Sequence, residues 1–373
     1  MAIFIDGLSA RNGGGVTYLQ NLIDTMPDMN NLEIYIISQN AVYPKIKNKR
    51  VKHISTNWPT QNPVLRAIWQ FFVLPLVLRK LKANILFVPG GINFCNVPKY
   101  CKMITMFRNM LPFDKMQLDR YPLGLNKIKF FIQKYLILNT LNNADFIIFI
   151  SKYSKSFMVK KFPHLQKKNT VIPHGVDKKF YVNKKIKRKS MYSKDKYILY
   201  VSRIEYYKRQ MEVLEAFYKV NKVCNDFKLY FIGPENNDYA ESLKKEIENK
   251  NLSSKVLIMG EIKQNFLPNY FQNSFLNIFI SETENCPNIL LEALCAGRPI
   301  ICSDRDPMPE FGGKAPIYCS PDNTSEIANS ILKIIKNKNI YNKMSQASLK
   351  QSNNFKKSVS GKKTWKTILK HMS

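Results

Sequence analysis

The residues best suited to chemistry lie in one run, Ser281-Glu282-Thr283-Glu284-Asn285-Cys286-Pro287-Asn288-Ile289-Leu290-Leu291-Glu292-Ala293-Leu294-Cys295-Ala296-Gly297. Glu284 falls in the loop after a predicted strand, and Glu292 follows eight residues later, in a helix that Pro287 starts and Gly297 ends. The first turn of a helix leaves its amides unpaired and carries partial positive charge. The N–H groups of Asn288, Ile289 and Leu290 therefore suit an anion. Glu292, one turn in, can accept two hydroxyl hydrogen bonds, as from a ribose, and Glu284 would face whatever is joined to the phosphate. Carboxylate, amides and carboxylate in this order fit a nucleotide-sugar. The same pattern also fits an ordinary amphipathic helix with two solvated glutamates.

Two cations, Arg203 and Lys208, follow a predicted strand at Ile198–Val201 and would project from one strand-end loop. Preorganised, they can neutralise a departing diphosphate without a metal; otherwise they belong to a charged surface loop. Gly13-Gly14-Gly15 separates the first strand from the first helix, which lets the backbone approach a phosphate or sugar closely, or simply makes a tight turn. The spacing is not that of a dinucleotide fingerprint. His174-Gly175-Val176-Asp177 ends another strand, where His174 either touches a ligand or stabilises the turn. Asp304-Arg305-Asp306 has the spacing of a divalent-cation pair, but Pro307 follows and no ligand-rich neighbourhood surrounds it.

The elements that position these residues alternate between strand and helix. Strands are predicted at 3–5, 33–38, 51–54, 85–88, 103–107, 146–150 and 170–172, then at 198–201, 229–232, 256–258, 276–280 and 299–302. Helices fill the intervals, among them one over 63–82, one over 125–141 and one that Ser151 caps. Two such blocks predict an α/β protein with two doubly wound parallel sheets, with ligands at the carboxyl ends of the strands and between facing domains. Lys-rich sequence over 179–195 breaks the rhythm and reads as a linker. The domains are thus 1–178 and 196–353, with a terminal helix over 354–373 that packs back onto the first.

Composition agrees. A chain of 373 residues, 45% hydrophobic, can build two cores without disulfides or structural zinc. Its seven cysteines form no CxxC and its four histidines are scattered, so no metal site is expected and the compartment is reducing. The longest apolar stretch, Ala67–Leu78, is too short to span a bilayer, and the amino terminus lacks a secretory signal. The net charge of +31 favours anionic partners: nucleic acid, lipid or phosphate-bearing substrates. No nucleic-acid-binding motif stands out. Trp69, Phe71, Phe72, Leu74 and Leu76 make the 63–82 helix apolar enough to be buried on its sheet or to lie in a membrane plane. Lys127, Lys129, Phe130, Phe131, Lys134 and Tyr135 make the 125–141 helix basic and aromatic, with the same two readings.

Taken together, the chain resembles the family-4 retaining glycosyltransferases of GT-B fold, over nearly its whole length. The triple glycine before Val16, Ile172-Pro173-His174-Gly175-Val176-Asp177, Arg203 with Lys208, the glutamates 284 and 292, and Pro307-Met308-Pro309-Glu310-Phe311-Gly312-Gly313 carry the resemblance. It implies a UDP- or GDP-sugar donor held mainly by the second domain. Arg203 and Lys208 would hold the diphosphate and Glu292 the ribose. Glu284 and the amides after it would hold the sugar, with Gly14 and Gly15 covering the phosphates. It further implies front-face retention and no metal or other cofactor. Many members carry His-Asp where this chain has Phe107-Arg108-Asn109-Met110, so Arg108 and Asn109 would replace those sugar contacts.

The expected activity is sugar transfer to a polyprenyl-diphosphate lipid or lipopolysaccharide acceptor, as in O-antigen or capsule assembly. The expected place is the cytoplasmic face of an anionic membrane. Its rivals are an epimerase or phosphorylase on the same fold, and a basic lipid- or polyanion-binding protein without turnover.

Overall fold

The computed structural model describes residues 1–10, 14–29, 31–39, 48, 50–120, 124–182 and 196–372. The chain divides into two compact units. Unit 1 comprises Met1–Gly175 and Lys357–Ser373, and unit 2 comprises Val176–Lys356.

Unit 1 is built on seven parallel strands: β1 (Ala2–Asp6), β2 (Glu33–Ile37), β3 (Val51–His53), β4 (Ile85–Val88), β5 (Lys102–Phe107), β6 (Phe146–Phe149) and β7 (Asn169–Val171). Their order is β3-β2-β1-β4-β5-β6-β7. Every residue of β1 and β4 is buried, which explains their unbroken apolar sequences: a parallel sheet covered on both faces has no solvent side to alternate with. Its helices are α1 (Gly14–Asp24), α2 (Pro63–Phe72), α3 (Leu74–Lys80), α4 (Lys115–Arg120), α5 (Leu125–Asn143), α6 (Lys152–Lys161) and α14 (Lys357–Lys370). Asn62 caps α2 by accepting from the amides of Val64 and Leu65, and Ser151 caps α6 at Ser154. The single helix expected over 63–82 is two. Pro75 has no amide to give the turn before it, and the chain breaks between Phe72 and Leu74. The terminal helix α14 packs on α1, where Trp365 Nε1 donates to Leu22 O at 2.7 Å. Gly361 lets it approach, since a Cβ there would lie 2.0 Å from Thr25 Oγ1.

Unit 2 has six parallel strands: β8 (Lys196–Val201), β9 (Phe227–Ile232), β10 (Val256–Ile258), β11 (Leu276–Phe279), β12 (Ile300–Ser303) and β13 (Ile317–Cys319). They run in the order β10-β9-β8-β11-β12-β13, so the order reverses beside β8. Between and after them lie α7 (Gln210–Asn221), α8 (Asp238–Asn249), α9 (Leu267–Asn273), α10 (Asn288–Cys295), α11 (Met308–Gly312), α12 (Thr324–Lys336) and α13 (Lys338–Ser352). Because β8 pairs with β11, the loops that leave their carboxyl ends open side by side, where doubly wound sheets bind ligands. β13 is not among the strands predicted from sequence.

The break between the units follows Gly175. Lys178–Phe180 forms a 3-10 turn of unit 2, so residue 178, read from sequence as the end of the first domain, and residues 179 and 180, read as the start of the linker, belong to unit 2. There Phe180 is buried against Phe271 and its carbonyl accepts from Gln272 Nε2 at 3.3 Å. The Lys-rich stretch over 183–195 lies outside the described residues.

Candidate functional site

In unit 2 the loop after β8 carries Ser202, Arg203 and Lys208. Gln210 Nε2 pins it from inside, donating to Ser202 Oγ and Arg203 O, each at 2.9 Å. Asn237 Nδ2 donates to Ile204 O at 2.7 Å, and the Tyr200 hydroxyl donates to Lys208 O. Gly233, after β9, has φ of +152°, and a Cβ on it would lie 2.0 Å from Ser202 O. Gly233→Ala should therefore cost about 2–4 kcal/mol in urea unfolding; a cost under about 0.5 kcal/mol would show that the loop yields there.

The loop after β11 is tied to this one, since Glu282 N–H donates to Tyr207 O at 2.8 Å. That bond sets Glu284 against Lys208, and the two form a largely buried ion pair. The Lys208 ammonium also lies 4.9 Å and 5.2 Å from the ring centroids of Tyr207 and Phe279. Burial pushes the Lys208 pKa down, but Glu284, Tyr207 and Glu205 together outweigh it and hold the ammonium above its ordinary range. Lys208 thus stays charged across physiological pH. Arg203, its expected companion, is exposed.

The helix α10 begins at Asn288 with Pro287 at its N-cap, and no side chain caps it. The Asn288 amide turns back to Cys286 O at 2.9 Å. Ile289 and Leu290 stand in the first turn, whose amides have no residue four back to bond. Gly297 ends the helix with φ of +60°. Glu292 lies one turn in. Its Oε2 is buried without a hydrogen-bond partner, and burial raises its pKa to about 8, moderated by Lys179 and increased by Asp177. A buried carboxylate oxygen with nothing to accept from is costly, so this one is shaped for hydroxyls that arrive with a ligand.

The remaining expected residues belong to unit 1. Gly14 and Gly15 open α1. His174 is buried with its ring 5.4 Å from that of Tyr18, and the Arg108 guanidinium lies 5.4 Å from the same Tyr18 ring. Burial, with Arg108 nearby, holds the His174 pKa well below its usual range, so the ring is neutral at physiological pH. Asn109 instead serves its own backbone, accepting from Leu111 N–H at 3.1 Å. Asp304 and Asp306 do not converge on a cation site; Arg305 between them reaches Asp322 at 3.2 Å and Asp304 at 3.8 Å.

Residues 12–180 match the family described as Glycosyltransferase Family 4, and residues 182–351 match Glycosyl transferases group 1. The chain belongs to the family-4 glycosyltransferases. It has their GT-B fold and catalyses sugar transfer. One relative is N-acetylgalactosamine-N,N'-diacetylbacillosaminyl-diphospho-undecaprenol 4-alpha-N-acetylgalactosaminyltransferase of Campylobacter jejuni, 24% identical over 82% of this chain and 80% of that protein. Among solved structures, a glycosyltransferase of Rickettsia africae superposes with a TM-score of 0.75 at 17% identity, covering 100% of this chain and 98% of that one. The Anabaena protein HepE, crystallised with UDP-glucose, superposes with 0.73 at 15% identity, covering 99% and 100%.

In this glycosyltransferase the residues that sequence reading missed are mostly supports. Gln210, Asn237 and Gly233 fix the Arg203 loop, and Tyr18 gathers Arg108 and His174. Asp177 and Lys179, which flank Glu292, lie in or beside the Ile172–Asp177 motif. That motif was the signal that could have joined them to the glutamate.

Proposed function

We propose that the glycosyltransferase is a retaining, metal-independent enzyme. It would move a sugar from a UDP- or GDP-linked donor to a lipid-linked or lipopolysaccharide acceptor at the cytoplasmic face of an anionic membrane. The observation that carries the donor reading is the partnerless Glu292 Oε2 one turn inside an uncapped helix. Ribose hydroxyls would complete it, while the Ile289 and Leu290 amides take the phosphate end of the donor. Arg203 and Lys208 neutralise the leaving diphosphate, and Glu284 accepts from the sugar hydroxyls. Each preorganised donor is worth about 2.7–4 kcal/mol to the transition state. The Campylobacter relative acts, by its name, on a diphospho-undecaprenol-linked glycan, which supports the acceptor class. The test is nucleotide release with a panel of donors, with and without a polyprenyl-diphosphate-linked saccharide. Release that requires acceptor, and an α-donor that yields an α-product by NMR, is expected. Donor conversion without acceptor would mean an epimerase instead.

Membrane association rests on a surface. The helix α5 sets Ile128, Phe131, Ile132 and Tyr135 at helical spacing, and all four are exposed, Phe131 by 74%. Lys127, Lys129 and Lys134 share the helix, which has no acidic residue. Phe71, Phe72 and Leu76 of α2 and α3 are exposed as well. Both helix sets bury their inner faces in one core cluster, with Trp69, Leu74 and Leu78 beside Ile137 and Leu141. Their outer faces therefore lie on the same side of the sheet. No Asp or Glu occurs between Glu33 and Asp114. Apolar stripes ringed by cations suit an anionic bilayer surface. Phe131→Asp with Ile132→Asp should lower cosedimentation with phosphatidylglycerol vesicles at least about tenfold, with unchanged donor binding. Undiminished cosedimentation would refute this surface.

A further inference from the structure

Unit 1 contains a cavity of about 540 Å³ that the donor site does not use. Ser38 and Gln39, which follow β2, form one wall, and Thr56, Asn57, Trp58 and Gln61, which follow β3, form the other. It therefore opens at the carboxyl ends of two parallel strands, the edge where such sheets take ligands. The walls are fixed. Gln39 Nε2 donates to Leu8 O at 3.0 Å and to Thr60 O at 3.2 Å, and Thr60 N–H donates to Trp58 O at 2.7 Å. The Trp58 indole N–H is spent on Leu65 O at 2.7 Å, which locks the ring while the side chain stays 39% exposed.

None of the nine lining residues is charged, in a chain with 58 Lys and Arg. Among these nine described residues an anion finds no cation. An apolar ligand would meet hydroxyls and amides on every side but Trp58 and Pro59. Hydroxyls and amides both donate and accept, as sugar hydroxyls do, and an indole face packs against the C–H face of a pyranose. We propose that this cavity is a binding site for a neutral sugar unit of the acceptor. Through Gln39 and Leu8 it shares backbone with the loop that leads from β1 to the glycines. The enzyme accordingly extends a glycan already begun, and a reaction that attaches the first sugar to the lipid must precede it. The elongation step rests on the transferase reading above; sugar binding by the cavity does not.

The protein carries its own probe. Of its three tryptophans, Trp69 and Trp365 are 2% exposed, so Trp58 dominates any ligand-induced change in emission. The experiment titrates the full chain with methyl glycosides and disaccharides of glucose, galactose, mannose and the N-acetylhexosamines. A saturable blue shift with at least one of them is expected, half-complete on the order of millimolar. In the variants binding is read by saturation-transfer NMR on the same sugar; that signal should vanish in Trp58→Ala and survive in part in Trp58→Phe, while the nucleotide-sugar thermal shift stays unchanged in both. No saturable emission change with any sugar in the wild-type chain, or an undiminished saturation-transfer signal in Trp58→Ala, overturns the site. Turnover is then compared on polyprenyl diphosphate bearing a sugar and on bare polyprenyl phosphate. Turnover only on the former, with KM raised about tenfold by Trp58→Ala and kcat nearly unchanged, supports elongation. Equal turnover on the bare lipid overturns it. Saturable sugar binding in a chain that binds no nucleotide-sugar would leave the cavity standing and remove the transferase reading instead.

Discussion

Lys208→Met lowers kcat/KM about a thousandfold or more, and adding Glu284→Gln does not restore it. The ammonium is buried, paired with Glu284 and seated over Tyr207 and Phe279, so it is fixed before any diphosphate arrives. A preorganised cation at a developing negative charge is worth about 10²–10³ in rate, and the low-dielectric surroundings place Lys208 at the upper end. Methionine keeps the stem against the two rings and removes only the charge. The single variant also leaves Glu284 without its partner, which costs stability, about 3–5 kcal/mol for a fully buried pair and less for this one. Glu284→Gln in the same chain neutralises the orphan. Stability in urea should return in the double variant while turnover stays lost. Recovery of both together would make the pair a stabilising device with no part in catalysis.

Glu292→Gln abolishes donor binding and at the same time stabilises the protein at neutral and alkaline pH. The folded chain holds the Glu292 proton up to about pH 8, whereas an unfolded chain releases it in the ordinary carboxylate range. Between those two values the folded state binds more protons, so the wild-type protein loses stability as pH rises. Below the lower value both states are protonated and Glu292 contributes no pH dependence; above about 8 the loss is complete. The Gln variant lacks this loss. Its melting temperature should match wild type near pH 4 and exceed it by a margin that grows to about pH 8. A margin independent of pH would mean that the carboxylate is solvated. A ribose that donates to Glu292 favours the ionised form, so donor binding near pH 7 should release protons. Calorimetry in two buffers of different ionisation enthalpy measures that release.

The sequence discloses chemistry where one segment holds it all. Pro287, Gly297 and the two glutamates mark a strand-loop-helix that needs no partner to be recognised, and α10 lies within one residue of the expected span. It does not disclose pairings that depend on strand order. Lys208 and Glu284 are 76 residues apart and meet because β8 lies beside β11, which no local pattern encodes. Arg203 and Lys208 read as equivalent cations of one loop, and the structure separates them into an exposed and a buried group. Tyr18 reads as one apolar residue of an amphipathic helix; its contacts come from residues 108, 174 and 364, far along the chain. The aromatic content of α5 was plain, but whether Phe131 faces core or solvent depends on which stripe of the helix meets the sheet. Helix α5 has two apolar stripes, Ile137 with Leu141 and Ile128 with Phe131, and tertiary packing chooses between them.

The central claim is that unit 2 holds a nucleotide-sugar through Glu292, and thermal denaturation with a panel of UDP- and GDP-sugars and free nucleotides tests it most directly. A ligand that binds only the folded chain at about a hundred times its Kd adds roughly 2.7 kcal/mol, several degrees in melting temperature for units of this size. The account predicts such a rise with one nucleotide class, and none with Glu292→Gln at the same concentration. No rise with any donor from a well-folded sample, or an equal rise in the variant, would contradict it.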